Sequence, residues 1–178
     1  LKIDNFKFMG EEGSKLSFNE DGERGVLIVK IEGEGDFALI TERDEGGNEV
    51  SETRFNNIKD AKFVVNENDE MEFAEFTSTT QTQETYVFLY GDKEFIFNAV
   101  EGSHIIFNPK EKIIEGESAE LVLDNKELNG DFKIQLGEFG DISEVEFGAR
   151  GVYLDTLSDR IITSREDFNV FLDGRDIL

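Results

Sequence analysis

The chain contains no cysteine and no tryptophan, one proline and one histidine. Without cysteine there is no disulfide scaffold, thiolate zinc site, haem-attachment motif or thiol nucleophile. One histidine removes most triad and metalloenzyme chemistry, and no Gly-x-Ser-x-Gly elbow accompanies it. No run approaches the roughly 18 consecutive apolar residues of a membrane-spanning helix, so no membrane insertion is expected. Positive charge is scarce: 18 Lys and Arg face 41 Asp and Glu, a formal net charge of −23. Nucleic-acid phosphates need clustered bases, and here acids surround every one, so no nucleic-acid partner is expected. Phosphate cradles are missing too. Gly33-Glu34-Gly35 runs into Asp36 and Phe37 rather than completing a dinucleotide fingerprint. With no motif for an organic cofactor, none is expected, and the chain reads as a non-enzyme.

What is present favours strands. There are 17 Phe and 17 Gly, while alanine stands only at positions 38, 61, 74, 99, 119 and 149. Aromatic and β-branched residues suit pleated, half-buried surfaces; helices prefer Ala and Leu. Strand signals recur at Ile3–Phe8, Lys15–Phe18, Gly25–Ile31, Asp36–Thr41, Val50–Phe55, Ala61–Val65, Met71–Phe76 and Thr85–Tyr90. They continue at Glu94–Ala99, His104–Phe107, Ser118–Leu123, Phe132–Leu136, Val145–Ala149, Gly151–Leu154 and Phe168–Leu172. Asp21-Gly22, Asn129-Gly130 and Gly91-Asp92 read as hairpin turns, and Pro109 falls between strands. One helical turn is read at Ser164–Phe168, with Leu157 and Ile161 on a shared helix face.

The expected fold is therefore all-β: an antiparallel β-sandwich, jelly-roll or immunoglobulin-like, with minimal helix. Its core is expected to draw on Phe6, Phe8, Val26, Ile28, Phe37, Phe63, Val87, Leu89, Ile96, Ile106, Leu121, Leu123, Ile134, Val145 and Phe171. Residues 1–178 read as a single domain with an N-terminal strand or arm, 1–9. An internal echo, Gly35-Asp36-Phe37 against Gly130-Asp131-Phe132, leaves open two tandem sandwiches, 1–100 and 101–178. The plainer reading of the echo is ordinary turn-into-strand chemistry.

Three features read as candidate sites. His104 lies in a short strand, where a structural or surface role competes with catalysis. Acidic turns hold calcium candidates, Asp21, Asn66, Asn68, Asp69 and Asp124. Calcium wants six to eight oxygens, and Met71 stands where the turn of an EF-hand needs glycine. The stretch 1–9 places Ile3, Phe6, Phe8 and Met9 ahead of Gly10-Glu11-Glu12-Gly13, a flexible joint. Such an arm either forms the first strand of its own sheet or adds a strand to a neighbouring copy. The expected function is accordingly a structural subunit of an extracellular or cell-surface assembly (a filament, pilus-like fibre or surface layer) whose partners are copies of itself. A monomeric adhesion or binding module, or a virion or phage-tail structural protein, are the alternatives. Residues 113–136, with Glu115-Gly116-Glu117-Ser118 before Gly130-Asp131-Phe132, resemble β-domains of archaeal surface filament proteins. The hydrophobic N-terminal helix of those pilins is not part of the match.

Overall fold

Several short strands expected from the sequence join, in pairs, into single long ones. The structure, a computed structural model, describes residues 5–164, 169–173 and 176–177. Its strands are β1 (Phe6–Gly10), β2 (Lys15–Asp21), β3 (Val26–Arg43), β4 (Glu49–Asn66), β5 (Met71–Ser78), β6 (Glu84–Tyr90) and β7 (Lys93–Asn108). They are followed by β8 (Ile113–Leu123), β9 (Lys126–Leu136), β10 (Ile142–Asp155), β11 (Arg160–Ser164), β12 (Asn169–Asp173) and β13 (Asp176–Ile177). Strands make up 75% of the chain and helix 1%, all in one open antiparallel sheet. Its order is β1-β3-β4-β5-β7-β8-β9-β10-β11-β12-β13, with β2 also on β3 and β6 also on β7.

Strands of 16 to 18 residues, such as β3, β4 and β7, cannot stay straight in a chain this size. They bend where two residues of one strand oppose one of its neighbour. Glu32 and Gly33 oppose Asp60; Asn56 and Asn57 oppose Asp36; Glu117 and Ser118 oppose Asp131. In each case the second bulge residue adopts positive φ (87° at Gly33, 56° at Asn57, 52° at Ser118). Each of those N–H groups, turned out of the ladder, donates to the facing aspartate Oδ1, at 3.0, 2.8 and 2.9 Å. On β7, Ser103 closes a larger irregularity: its Oγ accepts the Val100 N–H and its hydroxyl donates to Ser118 O. The bulges fall on successive strands and form a crease across the sheet.

The crease folds the inner face onto itself. Phe95 and Phe107 belong to the same strand, which if straight would hold them about 40 Å apart; their ring centroids lie 5.2 Å apart. Phe37 stacks on Phe63 at 4.5 Å, and Phe88 on Phe107 at 4.4 Å. One apolar cluster runs from Leu27 to Tyr153, built around Phe37, Phe55, Phe63, Phe76, Tyr86, Phe88, Phe95, Phe97 and Phe107.

Several expectations need correction. Val26, Phe37, Phe63, Leu121, Leu123 and Ile134 are buried, and Phe6, Phe8 and Val145 pack against the cluster. Ile28, Val87, Ile96 and Ile106 are only half-buried, and Leu89 is 60% exposed. Their neighbours Tyr86, Phe88, Phe95, Phe97, Ile105 and Phe107 point inward instead. Continuous apolar runs carry no alternation to choose a face, and the larger aromatic rings took the interior. Asn129-Gly130 is no hairpin: it sits inside β9, where Gly130 holds φ 103° beside a bulge. Asp21-Gly22 opens a longer turn, residues 22–25. Gly91-Asp92 does join β6 to β7, pairing Tyr90 with Lys93. Leu157 lies in the turn between β10 and β11 and Ile161 in a strand, so they share no helix. Most of the helical turn expected at Ser164–Phe168, with Ile3 and the side chain of Phe171, lies outside the described residues.

Candidate functional site

Three places on this folded sheet present chemistry to solvent. The first is the N-terminal edge. β1 and β2 run collinear along one side of β3, pairing Phe6 to Gly10 with Leu39 to Gly35 and Lys15 to Asp21 with Glu32 to Val26. Residues 11–14 step across the crease between them, held by Glu11 N–H on Glu34 O and Ser14 N–H on Glu11 O. Phe6 packs between Phe18 and Phe37, with centroids at 6.0 and 5.7 Å, while Met9 is 76% exposed. Lys7 Nζ lies 2.5 Å from Glu49 Oε2, and this hydrogen bond holds its ammonium pKa above the ordinary lysine value. Phe6, Phe8 and Met9 thus form the first strand of their own sheet, one of the two arrangements the arm sequence allows.

The second place is a slit in the ladder. β4 pairs with β5 only from Ile58 onward, so residues 49–56 have no neighbour on that side. β6 pairs with β7 alone. These two free edges face each other. At the crease they are tied by Tyr86, whose hydroxyl donates to Asn56 O at 2.7 Å, with Asn57 O at 3.3 Å and Ser78 Oγ at 3.2 Å. Burial first, opposed by the Ser78 hydrogen bond and aided by the Glu84 and Asp36 charges, pushes the Tyr86 phenol up to about 12. Away from the crease the edges part around a cleft of about 240 Å³, lined by the apolar side chains of Leu39, Phe55, Met71, Val87, Phe88 and Leu89 and by the polar Asn68, Asp69 and Glu70.

The third place is a shallow groove of about 410 Å³ on the outer face, lined by His104, Ile106, Phe132, Lys133, Phe147 and the carboxylates of Glu115, Glu117, Asp131 and Glu146. His104 pairs across the ladder with Thr77 on one side and Glu117 on the other. Its Nδ1 lies 2.8 Å from Thr77 Oγ1 and its Nε2 2.8 Å from Glu75 Oε2. Carboxylate, imidazole and hydroxyl are the members of an acyl-transfer triad, yet here they lie in a row on an open sheet face. β5 and β7 are flanked on both sides at this point, so their N–H groups serve the ladder rather than an oxyanion. The row therefore reads as a cross-strand polar tie.

The calcium candidates are spread over three turns, and several are engaged in local bonds. Asp21 Oδ1 accepts the Arg24 N–H. Asn66 Oδ1 accepts the N–H groups of Asn68 and Glu70, closing the β4–β5 turn. Asp69 Oδ2 accepts from Asn5 Nδ2 at 2.9 Å, and Asp124 Oδ2 lies 2.8 Å from Lys93 Nζ. Among the described residues no three His, Asp or Glu side chains converge as a metal site.

The sequence reading missed the slit and the Tyr86 tie. The signal available for them was the uncharged run from Thr85 to Gly91 in a chain that is 33% charged. Compared with known proteins, the chain matches no family model, no curated protein and no solved structure.

Proposed function

We propose that this chain is a non-enzymatic structural subunit of an extracellular or cell-surface assembly, a filament, pilus-like fibre or surface layer, joined by exchange of β1 between copies. The observation that carries the reading is the attachment of β1: it has one ladder partner, β3, and a glycine-bounded joint, Gly10 to Gly13, behind it. A strand held on one side only can leave and be replaced by the same strand of a neighbour, which makes identical bonds to residues 35–39 of β3. Phe6 docks against Phe37, and Phe8 packs against the same apolar cluster. Exchange passed head to tail yields an open fibre unless the rotation closes it. The creased sheet, with its inner face folded on itself, is taken here as a sandwich of the jelly-roll or immunoglobulin-like kind, forming one domain.

A second reading, a binding or adhesion module, is favoured by the open groove beside His104. Deletion of residues 1–9, followed by electron microscopy and light scattering at high salt, separates the two. The subunit reading expects assemblies from the full chain and none from the truncated one. Equal assembly by both, or a full chain that stays monomeric at high concentration and salt, overturns it.

A further inference from the structure

We propose that the cleft between β4 and β6 binds a small amphipathic amine, an arylalkyl ammonium whose hydrocarbon body enters the cleft and whose cationic head meets Asp69 and Glu70. This binding is independent of β1 exchange.

Two kinds of surface meet in the cleft. Phe55 and Phe88 are buried at its floor, and half-buried Val87 and exposed Leu89 form the β6 side. The turn from β4 to β5 brings Asp69 and Glu70 to the same cleft, and no lysine, arginine or histidine lines it. Both carboxylates keep acceptor capacity. Asp69 Oδ2 accepts from Asn5 Nδ2 at 2.9 Å, which leaves Oδ1 for an incoming donor. Glu70 Oε1 accepts only a long bond from Asn66 Nδ2, at 3.4 Å.

Charge and size together select the ligand. An anion is repelled by Asp69 and Glu70 and by the net charge of −23 behind them. A bare metal ion wants six to eight oxygens, and half of this lining is hydrocarbon; among the described residues no three His, Asp or Glu side chains converge. A neutral apolar molecule would strip water from the carboxylates and return no hydrogen bond. An ammonium on a hydrocarbon body satisfies both surfaces. An engineered cavity of about 150 Å³ holds benzene in another protein. The 240 Å³ here therefore admits one ring and a short amine-bearing chain. The Tyr86 hydroxyl, donating to Asn56 O at 2.7 Å, closes the crease end. A slot closed at one end suits a compact molecule rather than a polypeptide strand running through it.

The test is a chemical-shift titration of the full chain at pH 7 and an ionic strength of about 0.05 M. The probes are phenethylamine, which is protonated there; phenethyl alcohol, the same body without charge; phenylacetate, its anionic counterpart; and ethylamine, the charge without the ring. Phenethylamine is expected to bind saturably with a Kd of about 1 mM or tighter, shifting the Leu39, Val87 and Leu89 methyl signals. Phenethyl alcohol should bind about tenfold more weakly, and phenylacetate and ethylamine should not saturate. Glu70→Gln should weaken phenethylamine about threefold and leave phenethyl alcohol unchanged, whereas Glu138→Gln, at an exposed site outside the cleft, should change neither. Leu89→Lys puts a cation on the cleft wall and should weaken phenethylamine about tenfold. Leu157→Lys, the same charge change at a residue 77% exposed on the β10–β11 turn, should weaken it less than about twofold. Circular dichroism of each variant should match the parent. Unsaturable shifts spread over the acidic surface, equal binding of amine and alcohol, or equal weakening by Leu89→Lys and Leu157→Lys each overturns the proposal.

Discussion

Asp131 on β9 accepts the Ser118 N–H of β8 at 2.9 Å, across a bulge where Ser118 holds φ 52°. Asp36 stands in the same relation to Asn57, at 2.8 Å and φ 56°. In both, the aspartate follows a glycine and precedes an inward phenylalanine, Phe37 or Phe132. The repeated Gly-Asp-Phe is thus a bend motif. The aspartate receives the N–H that the bulge turns out of the ladder, and the phenylalanine anchors the strand beyond it.

This relation gives opposite expectations for neighbouring substitutions. Asp131→Ala leaves the bulge N–H to water and should cost about 1 kcal/mol. Ser118→Gly relieves the positive φ but loosens the unfolded chain, so it should fall between neutral and about 1 kcal/mol stabilising. Gly130→Ala should cost about 2 kcal/mol or more, because φ is 103° and the new Cβ would collide with the Arg150 carbonyl oxygen. Urea denaturation of the three variants measures the order.

The aromatic interior should dominate stability. Phe88 is buried, stacked on Phe107 at 4.4 Å and edge-on to Phe97 at 5.7 Å. Phe88→Ala should cost about 3–5 kcal/mol by lost transfer energy and the cavity left behind. Phe139, 82% exposed on the β9–β10 turn, offers the contrast. Phe139→Ala should stay within about 0.5 kcal/mol of the parent. Comparable losses at the two sites would mean that the rings at the crease do not form the core.

Much of the strand content was legible because Phe-rich runs and glycine turns recur along the chain. Which face of a strand turns inward was legible only where residues alternate. Phe132-Lys133-Ile134-Gln135-Leu136 gave Ile134 as buried, and it is. Tyr86-Val87-Phe88-Leu89-Tyr90 has no polar residue to mark its outer face, so Val87 and Leu89 were placed inside wrongly. The joining of short strands into long ones was hidden for a related reason. Glycine and polar residues at 33, 57, 102 and 118 look like turns in sequence, whereas here they bend strands that continue. Asp124-Asn125 shows the converse: weighed as an ion ligand, it is the two-residue turn between Leu123 and Lys126.

The Tyr86 hydroxyl provides a pH signature. Its folded pKa is about 12, against an ordinary value of 10.0. Below pH 10 both folded and unfolded chains keep the proton, so this group adds no pH dependence. Between about 10 and 12 the unfolded chain loses the proton first, and stability falls as pH rises. Burial raises the Tyr153 phenol in the same direction, so the difference between Tyr86→Phe and the parent isolates Tyr86. The variant should lose about 1 kcal/mol at pH 7 through its missing hydrogen bonds, and the gap should close and then reverse as pH rises from 10 to 12. A constant gap would mean that the phenol titrates alike in both states.

Salt should stabilise this protein. Even if each of the 18 Lys and Arg side chains neutralised one carboxylate, the net charge of −23 would remain uncompensated. The ion pairs Lys7–Glu49, Lys93–Asp124 and Lys110–Glu72 each keep at least one partner open to solvent, which weakens their attraction. Raising ionic strength weakens these few attractions and the many repulsions together, and the repulsions outnumber them. The screening length falls from about 30 Å at 0.01 M to about 10 Å at 0.1 M and 3 Å at 1 M. Repulsion across the whole sheet is therefore lost first, and repulsion between adjacent strands only at the highest salt. The melting temperature should rise across this series in NaCl, measured at a protein concentration low enough to keep the chain monomeric. A flat or falling melting temperature would show that the acids are compensated locally and that net charge does not limit the fold.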